Sequence, residues 1–578
     1  MKKNALLKRL LSFTRPHLFY LGLALFFAVI SVCLTLYAPV LTGHAIDKIW
    51  GKDAVEFEEL KRFLFWLAII TLGVSVSQWL MGLSTNKAAY LTVRDIREAA
   101  FSKLQNVPLK FIDSNPHGDI LSRVIVDAEQ IADGLLMGFT QLFTGIVTIL
   151  GTIGFMAVIN MKITFLVVFV TPLSLFVANF IARRSFKFFK VQSETRGEMT
   201  SLIEETIGNM KLVKAFGYEQ EASGKFEEIN VRLKQCGVKA LFFSSMTNPC
   251  TRFVNGVVYT LVCIVGALTA VAGALTVGQL SCFLSYANQY TKPFNEISGV
   301  FAELQSALAS AKRLFEIIDA QPQTPDSSEA VVLSKVDGSV EINHVSFSYT
   351  PDVKLIEDLN LSVQAGQKIA IVGTTGCGKT TLINLLMRFY DVDKGKIVVS
   401  GHDIQNVTRD SLRSSFGMVL QDTWLKAGTI RENIAYGKPN ASDYEIVSAA
   451  VAAHADGFIK RLSKGYDTEI TEDGGNISQG QKQLLCIARA MLSLPSMLIL
   501  DEATSSIDTR TESKIQNAFD NMMRGRTSFI VAHRLSTIRQ ADMILVMDAG
   551  RIIERGKHDE LLAKKGFYAN LYNSQFAC

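Results

Sequence analysis

Gly373-Thr374-Thr375-Gly376-Cys377-Gly378-Lys379-Thr380-Thr381 stands between the apolar run Ile369-Ala370-Ile371-Val372 and the helix-like Leu382-Ile383-Asn384-Leu385-Leu386-Met387. A glycine-rich turn that leaves a strand and opens a helix is a phosphate cradle. Its backbone N–H groups curl around the β- and γ-phosphates, the helix presents its positive N-terminus, Lys379 adds a mobile charge, and the Thr380 hydroxyl is placed to ligate Mg²⁺. Lys and Thr in register separate this pattern from a plain turn joining strand to helix. The stretch predicts an α/β P-loop domain built for a nucleoside triphosphate.

Chemistry accumulates downstream. The apolar Met497-Leu498-Ile499-Leu500 ends in Asp501-Glu502, about 120 residues after the P-loop; Asp501 is placed to hold Mg²⁺ and Glu502 to polarise an attacking water. Gln421 follows another short apolar stretch and is positioned to sense the metal or that water, while His533 ends the strand-like Thr527-to-Ala532 run within reach of a γ-phosphate. Taken singly, either is an ordinary polar residue at a strand end; their order along the chain is what carries weight. Between them Asn476-Ile477-Ser478-Gln479-Gly480-Gln481 caps the helix-like Lys482-to-Ala490, giving a second anion site at a helix N-terminus. Two anion sites on one domain predict a composite pocket completed by a second chain.

The chain's 578 residues suggest roughly three or four domain-sized units. Its first half carries long apolar stretches divided by basic loops. A spanning helix needs about 20 mostly apolar residues, and six segments meet that need, at residues 17 to 42, 61 to 84, 135 to 158, 163 to 183, 253 to 274 and 278 to 302. Lys292 and Glu296 in the last share one helical face and are expected in a water-filled cavity or at the helix end, where mutual pairing and substrate contact are equally good readings. Pro172 and Pro293 are expected to kink their helices.

Basic residues orient these spans. Lys2, Lys3, Lys8, Arg9 and Arg15 precede the first, Arg94, Arg97, Lys103, Lys110 and Arg123 lie between the second and third, and Arg183, Arg184, Lys187 and Lys190 follow the fourth, which places both termini in the cytoplasm. Residues 4 to 14 read as a basic amphipathic helix on the inner leaflet, and no cleavable signal peptide is expected. The cytoplasmic loops, about 50 and about 70 residues long, show helical periodicity, so the spans are predicted to extend into the cytosol, with tips near Asp113-to-Pro116 and Gly217-Tyr218.

A net charge of +5, gathered partly beside lipid, fits anionic headgroups and not nucleic acid. Eight cysteines without a CxxC pair or histidine at zinc spacing indicate neither a metal site nor a disulfide framework. Cys377 sits in the P-loop, where alkylation would block nucleotide; a small residue at a tolerant position is the plainer reading. A polar, Pro-bearing linker runs from 319 to 337, separating a membrane domain at 1–318 from a nucleotide-binding domain at 338–578.

With these motifs in order, the soluble half resembles the nucleotide-binding domain of an ABC transporter, and the whole chain resembles a bacterial multidrug-type ABC exporter half-transporter. The resemblance implies a six-helix, all-α, type I exporter-like membrane domain ahead of a P-loop ATPase. It also implies ATP and Mg²⁺ as ligands, with Tyr349 stacking on adenine, Gly373 to Thr381 as Walker A, and Gln421 as the Q-loop. Ser478, Gly480 and Gln481 match the signature, Asp501 and Glu502 end Walker B, Asp508 lies in the D-loop, and His533 is the switch histidine. Two such chains would sandwich ATP between Walker A of one and the signature of the other, closure turning the cavity outward and hydrolysis resetting it. Coupling helices are implied near Asp113 to Gly118 and Ala215 to Glu219.

Two departures bear on assembly. Ile477-Ser478-Gln479-Gly480-Gln481 replaces the usual Leu-Ser-Gly-Gly-Gln, and Thr471-Glu472-Asp473-Gly474 replaces a Val-Gly-Glu pattern. A catalytic glutamate paired with a deviant signature favours a heterodimer with a paralogue carrying a normal signature and a degenerate Walker B; a homodimer tolerating Gln479 is the alternative. The expected function is ATP-driven export of amphipathic or hydrophobic compounds, drug-like, lipid or peptide, from a bacterial-type inner membrane. A flippase of the same build is not separable from a drug pump at this level, and an ATP-gated sensor or channel is the reading that the acidic Walker B end argues against. A soluble ABC ATPase fails on the six spans. Phe139, Phe143, Tyr259, Tyr286 and Gln289 are candidates to line a substrate cavity, as helix packing would equally explain.

Overall fold

The computed structural model describes residues 3–49, 56–350, 353–420, 423–471, 475–501, 508–532 and 535–575. The chain divides into two compact units, Met1–Gln105 with Pro116–Ala320, and Asn106–Asn115 with Gln321–Cys578.

The first unit is helical. It comprises α1 (Lys3–Thr14), α2 (Leu18–Asp47), α3 (Phe57–Leu104), α5 (His117–Ile159), α6 (Met161–Val170), α7 (Pro172–Gly208), α8 (Met210–Ala215), α9 (Glu219–Ser245), α10 (Thr247–Val271) and α11 (Val277–Ile318); α4 (Leu109–Asp113) falls in the second unit. Among the described residues, four helical runs, Ala5–Asp47, Phe57–Leu104, His117–Ile159 and Glu219–Val271, are long and apolar enough to cross a membrane. The other two expected spans depart from that pattern for visible reasons. The fourth is broken at Thr171, where Pro172 starts a new helix, and the sixth carries Asn288, Gln289, Lys292 and Glu296 within an unbroken α11 that runs through Pro293. Lys292 and Glu296 are both exposed, and no ion pair joins them among the described residues.

Close approach of helices explains several small residues. A Cβ on Gly278 would lie 2.0 Å from the Gly43 carbonyl oxygen, so α2 and α11 meet backbone to backbone. Asp47 secures that crossing by accepting from the Gly278 N–H and the Thr276 hydroxyl, each at 2.8 Å, at the capped start of α11. Likewise Gly134 on α5 faces Ala307 on α11, where an added Cβ would sit 2.3 Å from the alanine methyl. In α1 the i, i+4, i+8 stripe of Leu6, Leu10 and Thr14 is buried, and Phe13 stacks on Phe315 at 5.9 Å. The helix thus spends one face on protein packing, with Leu7 and Leu11 left exposed.

The second unit is α/β. Its strands are β1 (Val340–Phe347), β2 (Ile356–Val363), β3 (Lys368–Gly373), β4 (Lys394–Val399), β5 (His402–Asp403), β6 (Phe416–Val419), β7 (Gly428–Thr429), β8 (Glu469–Ile470), β9 (Met497–Asp501), β10 (Thr527–Val531), β11 (Met543–Asp548) and β12 (Arg551–Gly556). A four-stranded antiparallel sheet runs β2-β1-β4-β5, and a six-stranded sheet runs β12-β11-β3-β10-β9-β6 with β11, β3, β10, β9 and β6 parallel. Strands buried on both faces should read as continuous apolar runs, and β10 is buried at every position while β9 is buried up to Asp501. Residues 321–337 are not a free tether: the Asp326 carboxylate accepts from the Arg409 backbone N–H at 2.9 Å and its guanidinium at 2.7 Å, and Leu333 N–H donates to Ser411 Oγ at 3.1 Å.

Candidate functional site

Parallel strands aim their C-terminal ends at one edge of a sheet, which is where ligands of open α/β sheets bind. Register aligns Val419 of β6 with Leu500 of β9, Asp501 with Val531 of β10, Val531 with Ile371 of β3, and Gly373 with Met547 of β11. The P-loop follows β3 at that edge, and β10, β9 and β6, the strands that lead toward His533, Glu502 and Gln421, end beside it in that order. Glu502, His533 and Gln421 themselves lie outside the described residues, as do Glu472 to Gly474; the strands leading to the first three end together.

The P-loop is built around three glycines. Gly373 is pinned by space, since a Cβ there would lie 2.2 Å from the Met547 carbonyl oxygen and 2.7 Å from Cys377 Sγ. Gly376 and Gly378 have φ of +83° and +101°, left-handed backbone that glycine adopts without strain. Gly378 then caps α12 (Lys379–Leu386), and Gly550 N–H donates to the Cys377 carbonyl at 3.1 Å, tying the loop to the β11–β12 turn. Thr374, Thr375, Gly376 and Thr380 are exposed along the loop's mouth, whereas Cys377 and Thr381 are buried. Lys379 Nζ donates to the carbonyls of Gly373 and Thr374, and Cys377 Sγ lies 3.9 Å from it.

Tyr349 stands beside this helix. Its hydroxyl is 3.3 Å from Thr381 Oγ1 and accepts from Asn384 Nδ2 at 3.3 Å, and its ring meets Phe347 and Tyr390 edge to face at 4.9 and 5.0 Å. Tyr390 in turn donates to the Asp113 carboxylate. Burial and that carboxylate push the Tyr390 phenol well above its usual range, so it acts as a donor throughout accessible pH.

Ser478 is the N-cap of the helix Gln479–Ser493 and forms a capping box with Gln481, whose Oε1 accepts from Ser478 N–H at 3.0 Å. Gly480 is buried and Gln479 exposed, its Nε2 donating to Thr423 Oγ1 at 3.1 Å. Farther along, Arg489 donates from Nε to the Asn433 carbonyl at 2.9 Å and from Nη1 to the Trp424 carbonyl at 3.1 Å, and lies over the rings of Trp424 and Tyr436. Asp508 caps the helix Thr509–Met523 by accepting from Thr511 N–H at 2.9 Å, a bond that lowers its carboxyl below the usual range. Sequence reading missed both Arg489 and the Gln479–Thr423 bond; neither pattern has a periodicity or spacing that marks it.

In the first unit, α2, α5 and α11 line a half-open apolar pocket of about 800 Å³ whose lining includes Tyr37, His44, Asp47, Phe155, Val158 and Cys282. Of the candidate cavity aromatics, Tyr286 is instead fully buried and donates its hydroxyl to the Leu36 carbonyl. Phe139 and Phe143 stack on each other at 6.1 Å, Tyr259 is exposed, and Gln289 is half-buried.

Against known families, residues 21–294 match the ABC transporter transmembrane region and residues 356–505 match the ABC transporter family. The chain is 43% identical over 532 residues to a fatty acid ABC transporter ATP-binding/permease protein of Mycobacterium bovis, covering 92% of this chain and 84% of that one. It is 35% identical over 572 residues to an ATP-dependent lipid A-core flippase of Syntrophus aciditrophicus, covering 98% and 94%. Among solved structures, a bacterial Atm1-family ABC exporter with ATP bound superposes with a TM-score of 0.78 at 28% identity, over 97% of this chain and 98% of that one.

Proposed function

We propose, from the premise that this chain belongs to the ABC transporter family as a half-transporter with membrane and ATPase domains fused, that it exports amphipathic or hydrophobic molecules with Glu502, His533 and Gln421 as its hydrolytic residues. The chain binds ATP, couples hydrolysis to export across a membrane, and works as a dimer with another ABC chain. The observation that carries the site assignment is the alignment of strand ends: β3, β10, β9 and β6 deliver the P-loop and the chain ahead of His533, Glu502 and Gln421 to one edge.

In this reading Gly373 to Thr381 wraps the phosphates, Lys379 neutralises them, Thr380, Asp501 and Gln421 hold Mg²⁺, and Tyr349 supports the base. Glu502 accepts the proton of the attacking water as it adds to the γ-phosphorus and the β–γ bridging oxygen leaves with ADP. Ser478, Gly480, Gln481 and Asp508 serve the opposing chain's nucleotide. Because this chain pairs Glu502 with Gln479 in its signature, the favoured partner is a paralogue with a normal signature and a degenerate Walker B, in a bacterial inner membrane. The apolar pocket lined by α2, α5 and α11, and the fatty acid and lipid A named for relatives, support an amphipathic cargo.

ATP turnover of the purified chain in lipid, with its oligomeric mass recorded, tests this. Glu502→Gln is expected to cut hydrolysis roughly 10²-fold while nucleotide binding persists, the scale of a lost general base; near-full turnover in that variant refutes the assignment. Robust wild-type turnover from a stable homodimer overturns the heterodimer.

A further inference from the structure

We infer that one face of α11 carries the headgroup site of the transported molecule, with Lys292 and Glu296 as its two charges. The cargo is then an amphiphile with a zwitterionic head, its anionic group on Lys292 and its ammonium on Glu296. The inference rests on the export reading above and narrows the cargo from amphipathic in general to one head chemistry.

Phe283, Tyr286, Ala287 and Tyr290 of α11 are buried in the helical core. Ser281, Ser285, Asn288, Lys292 and Glu296 follow one another at helical spacing and share the opposite face. The two serines are half-buried and the other three residues exposed. Among the described residues, the side chains of Asn288, Lys292 and Glu296 make neither a hydrogen bond nor an ion pair. Counting from Val277 at the start of α11, Lys292 lies about 23 Å and Glu296 about 29 Å along the helix at 1.5 Å per residue. These depths put both charges in the inner half of a hydrocarbon core about 30 Å thick. An ionised group is costly to leave in lipid, so this face borders a water-filled path and not acyl chains. A second copy related by a twofold axis along the membrane normal would set each charge level with its own kind, so a homodimer does not neutralise them. Opposite charges one turn apart, with Cβ atoms about 6 Å from each other, instead match the anion and ammonium of a single small head. Gly278, Gln279 and Cys282 of the same helix line the half-open apolar pocket, and Cys282 is about 15 Å nearer the outer end than Lys292, which leaves an apolar place for the tail.

Native mass spectrometry of the full-length chain in a neutral maltoside detergent reads bound amphiphile and oligomeric mass in one spectrum. The probes are matched single-chain amphiphiles that differ in head: lauroyl lysophosphatidylethanolamine, which is zwitterionic, lauroyl lysophosphatidate, which is only anionic, and dodecylammonium, which is only cationic. The wild-type chain is expected to bind the zwitterion about tenfold more tightly than either other probe, the scale of one further charge-assisted hydrogen bond. In Lys292→Gln the zwitterion should bind no better than dodecylammonium, and in Glu296→Gln no better than lysophosphatidate. The single-charge probe that each variant still binds shows that the variant is folded. Equal affinity of the wild-type chain for the three heads, or a zwitterion preference that survives both substitutions, overturns the head site alone. Variants that change the oligomeric mass while keeping the preference assign the two charges to a second chain and likewise overturn it. Binding of none of the three probes overturns the amphipathic cargo and the head site together.

Discussion

Lys379 turns its ammonium onto the Gly373 carbonyl at 2.9 Å and the Thr374 carbonyl at 3.0 Å, so the cation is held over the mouth of its own loop. Its charge is thereby stationed where phosphate oxygens would enter, between exposed loop amides and the N-terminus of α12. Lys379→Ala should weaken ATP binding by roughly 10- to 100-fold, the worth of a hydrogen bond to a charged group, with little effect on folding because the side chain is only half-buried. Equilibrium binding of a fluorescent ATP analogue, with a thermal melt as control, checks both halves.

Arg489 should be intolerant of its nearest chemical relative. Three donors reach the Asn433 carbonyl, the Asn433 amide oxygen and the Trp424 carbonyl, and the guanidinium lies over the rings of Trp424 and Tyr436. Lysine supplies charge but neither the planar fork nor the stacking face. Arg489→Lys is expected to cost about 1 to 3 kcal/mol, through backbone acceptors left short of donors. Faster exchange in the helix Gln479–Ser493 would locate the loss there; an unchanged melt would refute it.

Much of this molecule is legible in its sequence, and the boundary of legibility is physical. The P-loop announces itself because glycines, Lys379 and Thr380 must occur at fixed local spacing, and β9 does so because a strand covered on both faces must be apolar until its functional acids. The sixth helix is weaker in sequence than in space: Asn288, Gln289, Lys292 and Glu296 dilute its hydropathy, whereas capping by Thr276 and Asp47 secures its start through contacts 229 and 231 residues apart. Tyr286 reads as a cavity aromatic until the Leu36 carbonyl is seen to accept its hydroxyl, 250 residues away. Long-range pairing of this kind leaves no periodic mark.

Asp127 ties α5 to α11 from within. The residue is 2% exposed, and its Oδ1 accepts from Ser310 Oγ at 3.0 Å and from the Arg313 guanidinium, while Oδ2 has no hydrogen-bond partner among the described residues. Removing the carboxylate strands the buried Ser310 hydroxyl; Arg313, half-exposed, can turn to water. Asp127→Ala should therefore cost about 1 to 3 kcal/mol and Asp127→Asn, which still accepts from Ser310, distinctly less. Inactivation half-lives at a fixed elevated temperature in detergent rank the variants, since a two-unit membrane protein is better compared by rate than by midpoint. Equal half-lives for the alanine and asparagine forms would contradict the role given to Ser310.

His558 gives the second unit a pH dependence with a definite sign. Its Nδ1 is 2.6 Å from the Tyr568 hydroxyl and its ring lies against Tyr568 and Tyr572, while Arg539 reaches the Tyr572 hydroxyl at 2.9 Å. Burial first and the Arg539 charge second hold the imidazole below its ordinary value of 6.5, outweighing the opposing pull of Asp559. A folded state that binds the proton less readily than the unfolded chain loses stability as protons are added. The contribution is complete above the unfolded value near 6.5 and disappears as pH falls through the lowered folded value. Hydrogen exchange of the helix Phe567–Gln575 in the full-length chain should accordingly show its opening free energy falling as pH drops below about 6.5, after correction for intrinsic exchange rates. His558→Phe should flatten that trend, and Arg539→Gln should raise the imidazole's NMR titration midpoint toward 6.5 by removing the repelling charge. A midpoint in the wild-type chain above 6.5 would reverse the sign and rule out this environment as its cause.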